Sequence, residues 1–266
     1  MKIVRFSDGD SPRYGALEDG STRIVVLKGD PLFNPVEPDG RIVELDEVRL
    51  LSPVIPRSKV VAIGKNYADH AREMGGEAPD MPVVFLKPNT SVIGPDDPII
   101  RPSWCNELHH EGELAVIIKS LAKDVPVEDV DKVILGYTIA NDVTARDIQR
   151  ADSQWTRAKG FDTSCPLGPW ITVDPNLDVN NLRITTTVDG EVRQDDTTAN
   201  MIHNVAELLS YVSSIFTLLP GDVIITGTPK GVSEMKPGQT VEVTIEGIGT
   251  LRNTVRDAEY YRPFTR

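Results

Sequence analysis

Along most of this chain apolar and polar residues alternate in short runs. In the first fifty residues the runs are Lys2–Phe6, Tyr14–Leu17, Arg23–Leu27 and Arg41–Leu45. Turn pairs such as Asp8-Gly9, Asp19-Gly20 and Asp39-Gly40 separate them. A two-residue period broken by such pairs predicts a small meander of strands and hairpins. Ser52-Pro53-Val54-Ile55-Pro56 follows. Two prolines this close disfavour regular structure and mark a boundary. The expected division is a small β domain over residues 1–56 and a larger domain over residues 57–266.

Beyond the boundary the strand signal continues. Lys59–Gly64, Val83–Lys87 and Val223–Gly227 are short apolar runs of the buried type. Glu111–Ile118 starts polar and ends apolar, and Val133–Asp142 runs the other way. Gly168–Val173 and Leu182–Val188 are rich in β-branched residues, with a hairpin signal at Asp189-Gly190. Val241, Val243 and Ile245 alternate with Glu242, Thr244 and Glu246, the pattern of a half-exposed strand, and Leu251–Val255 adds one more. Helical spacing is rarer. Asp69–Met74 suits a short helix stopped by Gly75-Gly76, and a second follows Asp142 with Asp142 or Thr144 as its cap. Val205, Leu208, Leu209, Val212, Ile215 and Phe216 form the core-facing stripe of a longer helix. Trp155–Asp162 reads as an irregular basic stretch. Many strands, few helices and no β-α-β alternation predict an α+β, predominantly β fold and argue against Rossmann and TIM-barrel architectures. No dinucleotide fingerprint, Walker loop or nucleophile elbow is present.

Composition narrows the function classes. The 266 residues are 39% hydrophobic and 26% charged, as in ordinary globular chains. The net charge of -12, from 40 acidic and 28 basic residues, argues against a nucleic-acid partner. There is no apolar run long enough to span a membrane, and the first residues lack an apolar signal core. Cys105 and Cys165 are the only cysteines, so a reducing, cytoplasmic setting is expected, with both read as free structural thiols.

Candidate chemistry centres on the Glu111–Ile118 strand. Side chains alternate across a strand, so Glu111 and Glu113 share a face. Two such carboxylates need a cation, a shared proton or solvent. Asp142 ends a second strand. Three carboxylates with no thiol beside them suit Mg²⁺ or Mn²⁺. The plainer alternatives are a solvated strand end for the Glu pair and a helix cap for Asp142. His109 and His110 point to opposite faces of a strand, which argues against a zinc site using both. On the Asp69–Met74 helix, His70 and Glu73 share a face, as a general base and its orienting carboxylate would, or as a surface charge pair would. Lys159, beside Gly160, reads as a ligand contact or a solvated lysine. The loop after Val223–Gly227 reads as a plain turn or as a carboxylate cradle built from backbone N–H groups and the Thr228 hydroxyl.

Several ordered blocks together resemble the fumarylacetoacetate hydrolase family, short bacterial type. They are Gly64-Lys65-Asn66-Tyr67-Ala68-Asp69-His70, Glu111-Gly112-Glu113-Leu114-Ala115, Asn141-Asp142-Val143-Thr144-Ala145-Arg146-Asp147, Ala158-Lys159-Gly160-Phe161-Asp162 and Leu219–Val232. The resemblance implies a mixed, mostly antiparallel β-roll with few helices, and a homodimer. It implies metal ligands Glu111, Glu113 and Asp142 for Mg²⁺ or Mn²⁺. It also implies a water-activating pair in His70 and Glu73, a catalytic Lys159, and substrate contacts at Arg146, Gln149 and Thr228. The expected substrate is a small 2-oxo acid. Because the His70–Glu73 pair is present, the favoured reaction is hydrolysis of an acylpyruvate to pyruvate and a carboxylic acid through a metal-stabilised enolate. The alternatives on the same site are oxaloacetate decarboxylation and isomerisation of 2-hydroxyhepta-2,4-diene-1,7-dioate or 5-carboxymethyl-2-hydroxymuconate. A binding protein with a relic site is the rival from another class, and the complete set of acids, His70, Glu73 and Lys159 argues against it.

Overall fold

The computed structural model describes residues 1–9 and 11–259. The chain opens with strands Lys2–Ser7 (β1), Arg13–Leu17 (β2), Arg23–Leu27 (β3), Pro38–Glu44 (β4) and the short Arg49–Leu50 (β5). Ser52–Pro56 holds no helix or strand, as its prolines require. Then come Val60–Gly64 (β6), helix Ala68–Glu73 (α1), Val83–Lys87 (β7), Val92–Ile93 (β8), Ile99–Arg101 (β9) and Leu108–His109 (β10). Gly112–Ile118 (β11), Ile134–Asn141 (β12) and Thr144–Ala145 (β13) precede helices Arg146–Ala151 (α2) and Thr156–Lys159 (α3). Cys165–Thr172 (β14), Arg183–Val188 (β15) and Glu191–Thr197 (β16) lead to helix Val205–Ile215 (α4), and Val223–Ile225 (β17), Thr240–Ile245 (β18) and Gly249–Asp257 (β19) follow. The fold is thus α+β and predominantly β, with mixed sheets.

The large sheet runs β4-β3-β2-β1-β14-β12-β11-β17-β6-β7, a path antiparallel except where β17 meets β6, with β5 beside β1 and β8 parallel to β14 off that path. A second sheet runs β16-β15-β18-β19-β9. Strand β11 is buried along its whole length because it is covered on both faces. Leu114, Val116 and Ile118 face Ile184, Val243 and Ile245 of the second sheet and Leu208, Leu209 and Val212 of α4. Ala115 and Ile117 face the other way, toward Val60, Ala62, Leu167 and Ile225. The two-residue period of the strand divides its side chains between these clusters. The N-terminal meander packs its own cluster of Val4, Phe6, Leu17, Ile24 and Val26. Its strand β1 joins β14 in the register Lys2↔Thr172 and Ile3↔Ile171, which places Ile3 in the same cluster as Ala115 and Ile117.

The helices depart from expectation in three places. Asn204 caps α4 through a reciprocal box with Glu207, and the helix ends at Ile215, which is 46% exposed. Ile215 therefore lies off the core stripe, and Phe216 is already extended. The stretch expected to be irregular around Lys159 contains the one-turn helix α3, which carries the lysine inward. Helix α2 starts at Arg146 with no side-chain cap, and the Thr144 hydroxyl donates instead to the Asp142 carbonyl. The Asp142 carboxylate is thereby left for other partners.

Candidate active site

Antiparallel pairing of β11 with β12 brings the three acids together. Gly112 lies opposite Asn141, and the Asp142 N–H donates to the Glu111 carbonyl at 2.8 Å. One oxygen each of Glu111, Glu113 and Asp142 lies within 4.8 Å of the others, and all three residues are buried. Lys159 donates to Glu111 Oε2 at 2.7 Å and to Asp142 Oδ2 at 2.6 Å. Burial alone would lower the Lys159 ammonium, but the Asp142 and Glu111 carboxylates outweigh it and hold the group protonated. Burial likewise opposes ionisation of Glu111, and Lys159 and Arg146 overcome it, holding that carboxyl well below the usual range. Glu113 goes the other way. Burial, then the charges of Asp142 and Glu111, push its carboxyl well above the usual range, and it accepts a backbone N–H, from Gly227 at 2.7 Å.

This donor set fits a hard divalent cation. Among the described residues Glu113 has no ammonium or guanidinium within ion-pair distance and lies between two other buried carboxylates, and such a group requires a proton or a cation. The donors are all oxygen, the preference of Mg²⁺ and Mn²⁺. The histidines stand outside the cluster. His109 Nε2 lies 2.9 Å from Glu107 Oε1. His110 Nδ1 is 3.2 Å from Gln194 Oε1 and its Nε2 is 3.0 Å from Ser233 Oγ. Burial pushes His110 down to about 4, so it is neutral at physiological pH.

Helix α1 sets the second component. His70 Nδ1 lies 3.0 Å from Glu73 Oε2, and the Gly231 N–H donates to Glu73 Oε1 at 3.0 Å. Burial would raise the Glu73 carboxyl, but the His70 and Gly231 hydrogen bonds bring it below its ordinary value. A cavity of about 190 Å³ is lined by His70, Glu111, Arg146, Gln149, Lys159 and Thr228. Glu113 and Asp142 lie behind Lys159 and Glu111, and Glu73 backs His70. Arg146 donates to Glu111 and to Gln149 Oε1. The Thr228 hydroxyl donates to the Gly112 carbonyl at 2.9 Å. The nine residues singled out from sequence thus meet at one site.

Three further residues belong to it. Lys87, fully buried, donates to Asp142 Oδ1 at 2.6 Å and to the Lys159 carbonyl. In sequence it is the polar end of an apolar strand before Pro88, where a solvated lysine is the ordinary outcome. Trp155 walls the cavity and lies against Gly64, where a Cβ would meet the ring at 2.6 Å. Gln194 donates to Thr228 Oγ1 at 2.7 Å from a strand 34 residues earlier in the chain. No local spacing marks these contacts, because they form only when distant strands pack. Cys105 and Cys165 are both buried, and burial pushes their thiols up to about 11 and about 12, so neither is an activated nucleophile.

Fold and site together define an enzyme of mixed β architecture, with a buried carboxylate cluster at the base of a basic pocket. The chain belongs to the fumarylacetoacetate hydrolase family. Its residues 59–256 match the family described as Fumarylacetoacetate (FAA) hydrolase C-terminal, and residues 1–53 match one described as Rv2993c-like, N-terminal. The chain is 53% identical over 228 residues to Protein Rv2993c of Mycobacterium tuberculosis, covering 85% of this chain and 84% of that one. It is 44% identical over 197 residues to the oxaloacetate tautomerase YcgM of Escherichia coli, covering 72% and 90% respectively. Among solved structures, the 5-carboxymethyl-2-hydroxymuconate delta-isomerase of Mycobacterium smegmatis superposes with a TM-score of 0.89 at 46% identity, over 97% of this chain and 100% of that one. The maleylpyruvate hydrolase of Sphingobium sp. SYK-6, in complex with manganese (II) ion and pyruvate, superposes with a TM-score of 0.81 at 27% identity, with the same coverage.

Proposed function

We propose that this chain forms and reprotonates the enolate of a short 2-oxo acid, and that its reaction is keto–enol conversion of an oxaloacetate-like 2-oxo dicarboxylate. The observation that carries the reading is the pocket itself, in which His70, backed by Glu73, lines the same cavity as Glu111, one of the three clustered acids. Glu111, Glu113 and Asp142 would hold a divalent cation, Mg²⁺ or Mn²⁺, which would supply Lewis-acid stabilisation of negative charge on the 2-oxo oxygen. Arg146 and the Thr228 loop bind the substrate carboxylate. Lys159, protonated and 2.7 Å from Glu111, hydrogen-bonds the oxygen that gains charge. Glu73 is ionised at neutral pH and accepts the His70 Nδ1–H. His70 Nε2 is then the base that takes a proton from C3 while the enolate oxygen gains one from solvent or the Lys159 ammonium. In the enol-to-keto direction the oxygen gives up its proton the same way as His70 delivers one to C3.

Hydrolysis of an acylpyruvate is the second reading, favoured by the same His70–Glu73 pair. Here His70 takes its proton from water as the water attacks the C4 carbonyl. The C3–C4 bond breaks, giving pyruvate enolate and a carboxylic acid. Relatives above 40% identity are named as an oxaloacetate tautomerase, a hydroxymuconate isomerase and an oxaloacetate decarboxylase, so pyruvate release from oxaloacetate without enol conversion would favour decarboxylation, and the hydrolase among the structures above stands at 27%. The deciding experiment uses metal-stripped protein with Mn²⁺ or Mg²⁺ restored. It follows the decay of enol-oxaloacetate by absorbance, and pyruvate release from oxaloacetate and from fumarylpyruvate. We expect metal-dependent enol decay that His70→Ala slows by about 10²-fold or more. Faster pyruvate release from fumarylpyruvate than enol conversion establishes the hydrolytic reading. Protein inert toward all these substrates sinks both.

A further inference from the structure

Strand β17 pairs with β11 only over Ala115–Ile117. Toward the acidic end of β11, side chains and loop groups take over the ladder. Thr226 N donates to the Leu114 carbonyl at 3.1 Å, Gly227 N to Glu113 Oε2 at 2.7 Å, and Thr228 Oγ1 to the Gly112 carbonyl at 2.9 Å. The Gly112 N–H donates to Gln194 Oε1 at 3.1 Å. Gln194 therefore stands where the next strand would be. It is 1% exposed, and its Nε2 donates to Thr228 Oγ1 and to the Pro229 carbonyl, both at 2.7 Å.

The directions in this network are forced. A backbone N–H only donates and a carbonyl only accepts, so Gln194 must turn Oε1 toward Gly112 and Nε2 toward Pro229. Oε1 then faces His110 Nδ1 at 3.2 Å, so Nδ1 carries the hydrogen. His110 Nε2 is left as the acceptor for the Ser233 hydroxyl at 3.0 Å. Thr228 Oγ1 already accepts from Gln194, so its one hydrogen must go to an acceptor. That acceptor is the Gly112 carbonyl here and would be a carboxylate oxygen in the pocket. The loop also lies directly on β16, where a Cβ at Gly231 would meet the Arg193 carbonyl oxygen at 2.1 Å. The same Gly231 donates its N–H to Glu73.

We propose that Gln194, its amide oriented by the Gly112 N–H and the Pro229 carbonyl and braced by His110 and Ser233, is a positioning residue that makes Thr228 a hydrogen donor toward an anionic substrate and holds the Thr228–Gly231 loop against the metal-binding strand. The inference rests on the place given to Thr228 in the proposed function. Its consequence is selectivity. With one lone pair taken by Gln194, the Thr228 hydroxyl offers its hydrogen to an acceptor in the pocket, and a carboxylate oxygen competes for it with the Gly112 carbonyl more strongly than a neutral carbonyl does.

The test is a double-mutant cycle on the metal-loaded enzyme with Gln194→Leu and Thr228→Val, reading KM and kcat for oxaloacetate, Mn²⁺ affinity by calorimetry, and Tm. We expect Q194L to raise KM roughly tenfold to a hundredfold, the loss of a charge-assisted hydrogen bond, with Mn²⁺ affinity changed far less. Q194L and T228V should be strongly non-additive in KM. A folded Q194L with unchanged KM, or additive effects, overturns the positioning role. An unchanged KM in T228V overturns instead the place of Thr228 in the proposed site, and this inference with it. If Q194L does not fold, Ser233→Ala serves. It should raise KM severalfold and shift His110 away from the Nδ1–H tautomer in ¹⁵N spectra. An unaltered tautomer and KM would refute the relay.

Discussion

Glu113 concentrates the electrostatic tension of the site in one side chain. It is buried, accepts one backbone N–H, and has Glu111 and Asp142 as close neighbours, while Lys159, Lys87 and Arg146 are spent on those two. Replacing it by glutamine keeps the shape and removes a charge that burial and like-charge repulsion both disfavour. Metal-free Glu113→Gln is therefore expected to be at least as stable as metal-free wild type. Wild type should gain about 2.7 kcal/mol from Mn²⁺ at a hundredfold excess over Kd, and the variant should gain almost none. Thermal unfolding with a chelator and with Mn²⁺ checks both halves, and a variant that loses stability without metal would contradict this account. Candidate residues that a local period relates were readable in advance. Glu111 and Glu113 share a strand face, and His70 and Glu73 share a helix face, because two- and three-residue spacings are properties of the backbone. Lys87 had no such mark, since nothing in its neighbourhood in sequence says that Asp142 will pack upon it.

At the scale of elements, the two sheets are in close contact at Gly112. A Cβ there would lie 2.4 Å from Thr186 Oγ1 and 2.9 Å from Val243 Cγ1, both on the second sheet. The glycine between the two glutamates thus serves packing, and its bare backbone is also what Gln194 reaches. Gly112→Ala should force β11 away from β15 and β18, costing about 1–3 kcal/mol, the range for overpacking. Because Glu111 and Glu113 flank the displaced residue, Mn²⁺ affinity should fall as well. Denaturant unfolding and calorimetry measure the two effects. Intact stability would mean that the sheets yield at this contact. The strands were legible because half-buried strands advertise a period of two. Helix α3 was not, because one turn is too short to show a period of 3.6. The end of α4 is not legible because Phe216, an apolar residue, continues the stripe one position past Ile215, where the backbone leaves the helix.

For the whole molecule, the buried histidines make stability depend on pH. His110 titrates near 6.5 when unfolded and at about 4 in the fold, because burial disfavours its charged form. A depressed histidine pKa means that protons bind the unfolded chain more readily. The His110 contribution is fully present above pH 6.5 and is lost as pH falls toward 4, by about 3 kcal/mol at 1.4 kcal/mol per unit. His109 is shifted in the same direction, by burial and by Arg146, and adds to the slope. Urea unfolding of wild type and His110→Gln at several pH values between 7 and 4 separates the two. The variant should show the shallower dependence, and identical slopes would mean that His110 is accessible to protons in the folded protein.

The sequence by itself determined the strand-rich class and the face-sharing of each candidate pair, because these follow from backbone periodicity and turn chemistry. The tertiary structure alone decided which acid lacks a counter-charge, which lysine is spent on which carboxylate, and that Gln194 completes the Thr228 loop. Those outcomes depend on burial and on contacts between strands far apart in the chain. Desolvation there turns an ordinary Glu, Lys or Gln into a group whose partner sets its charge and orientation.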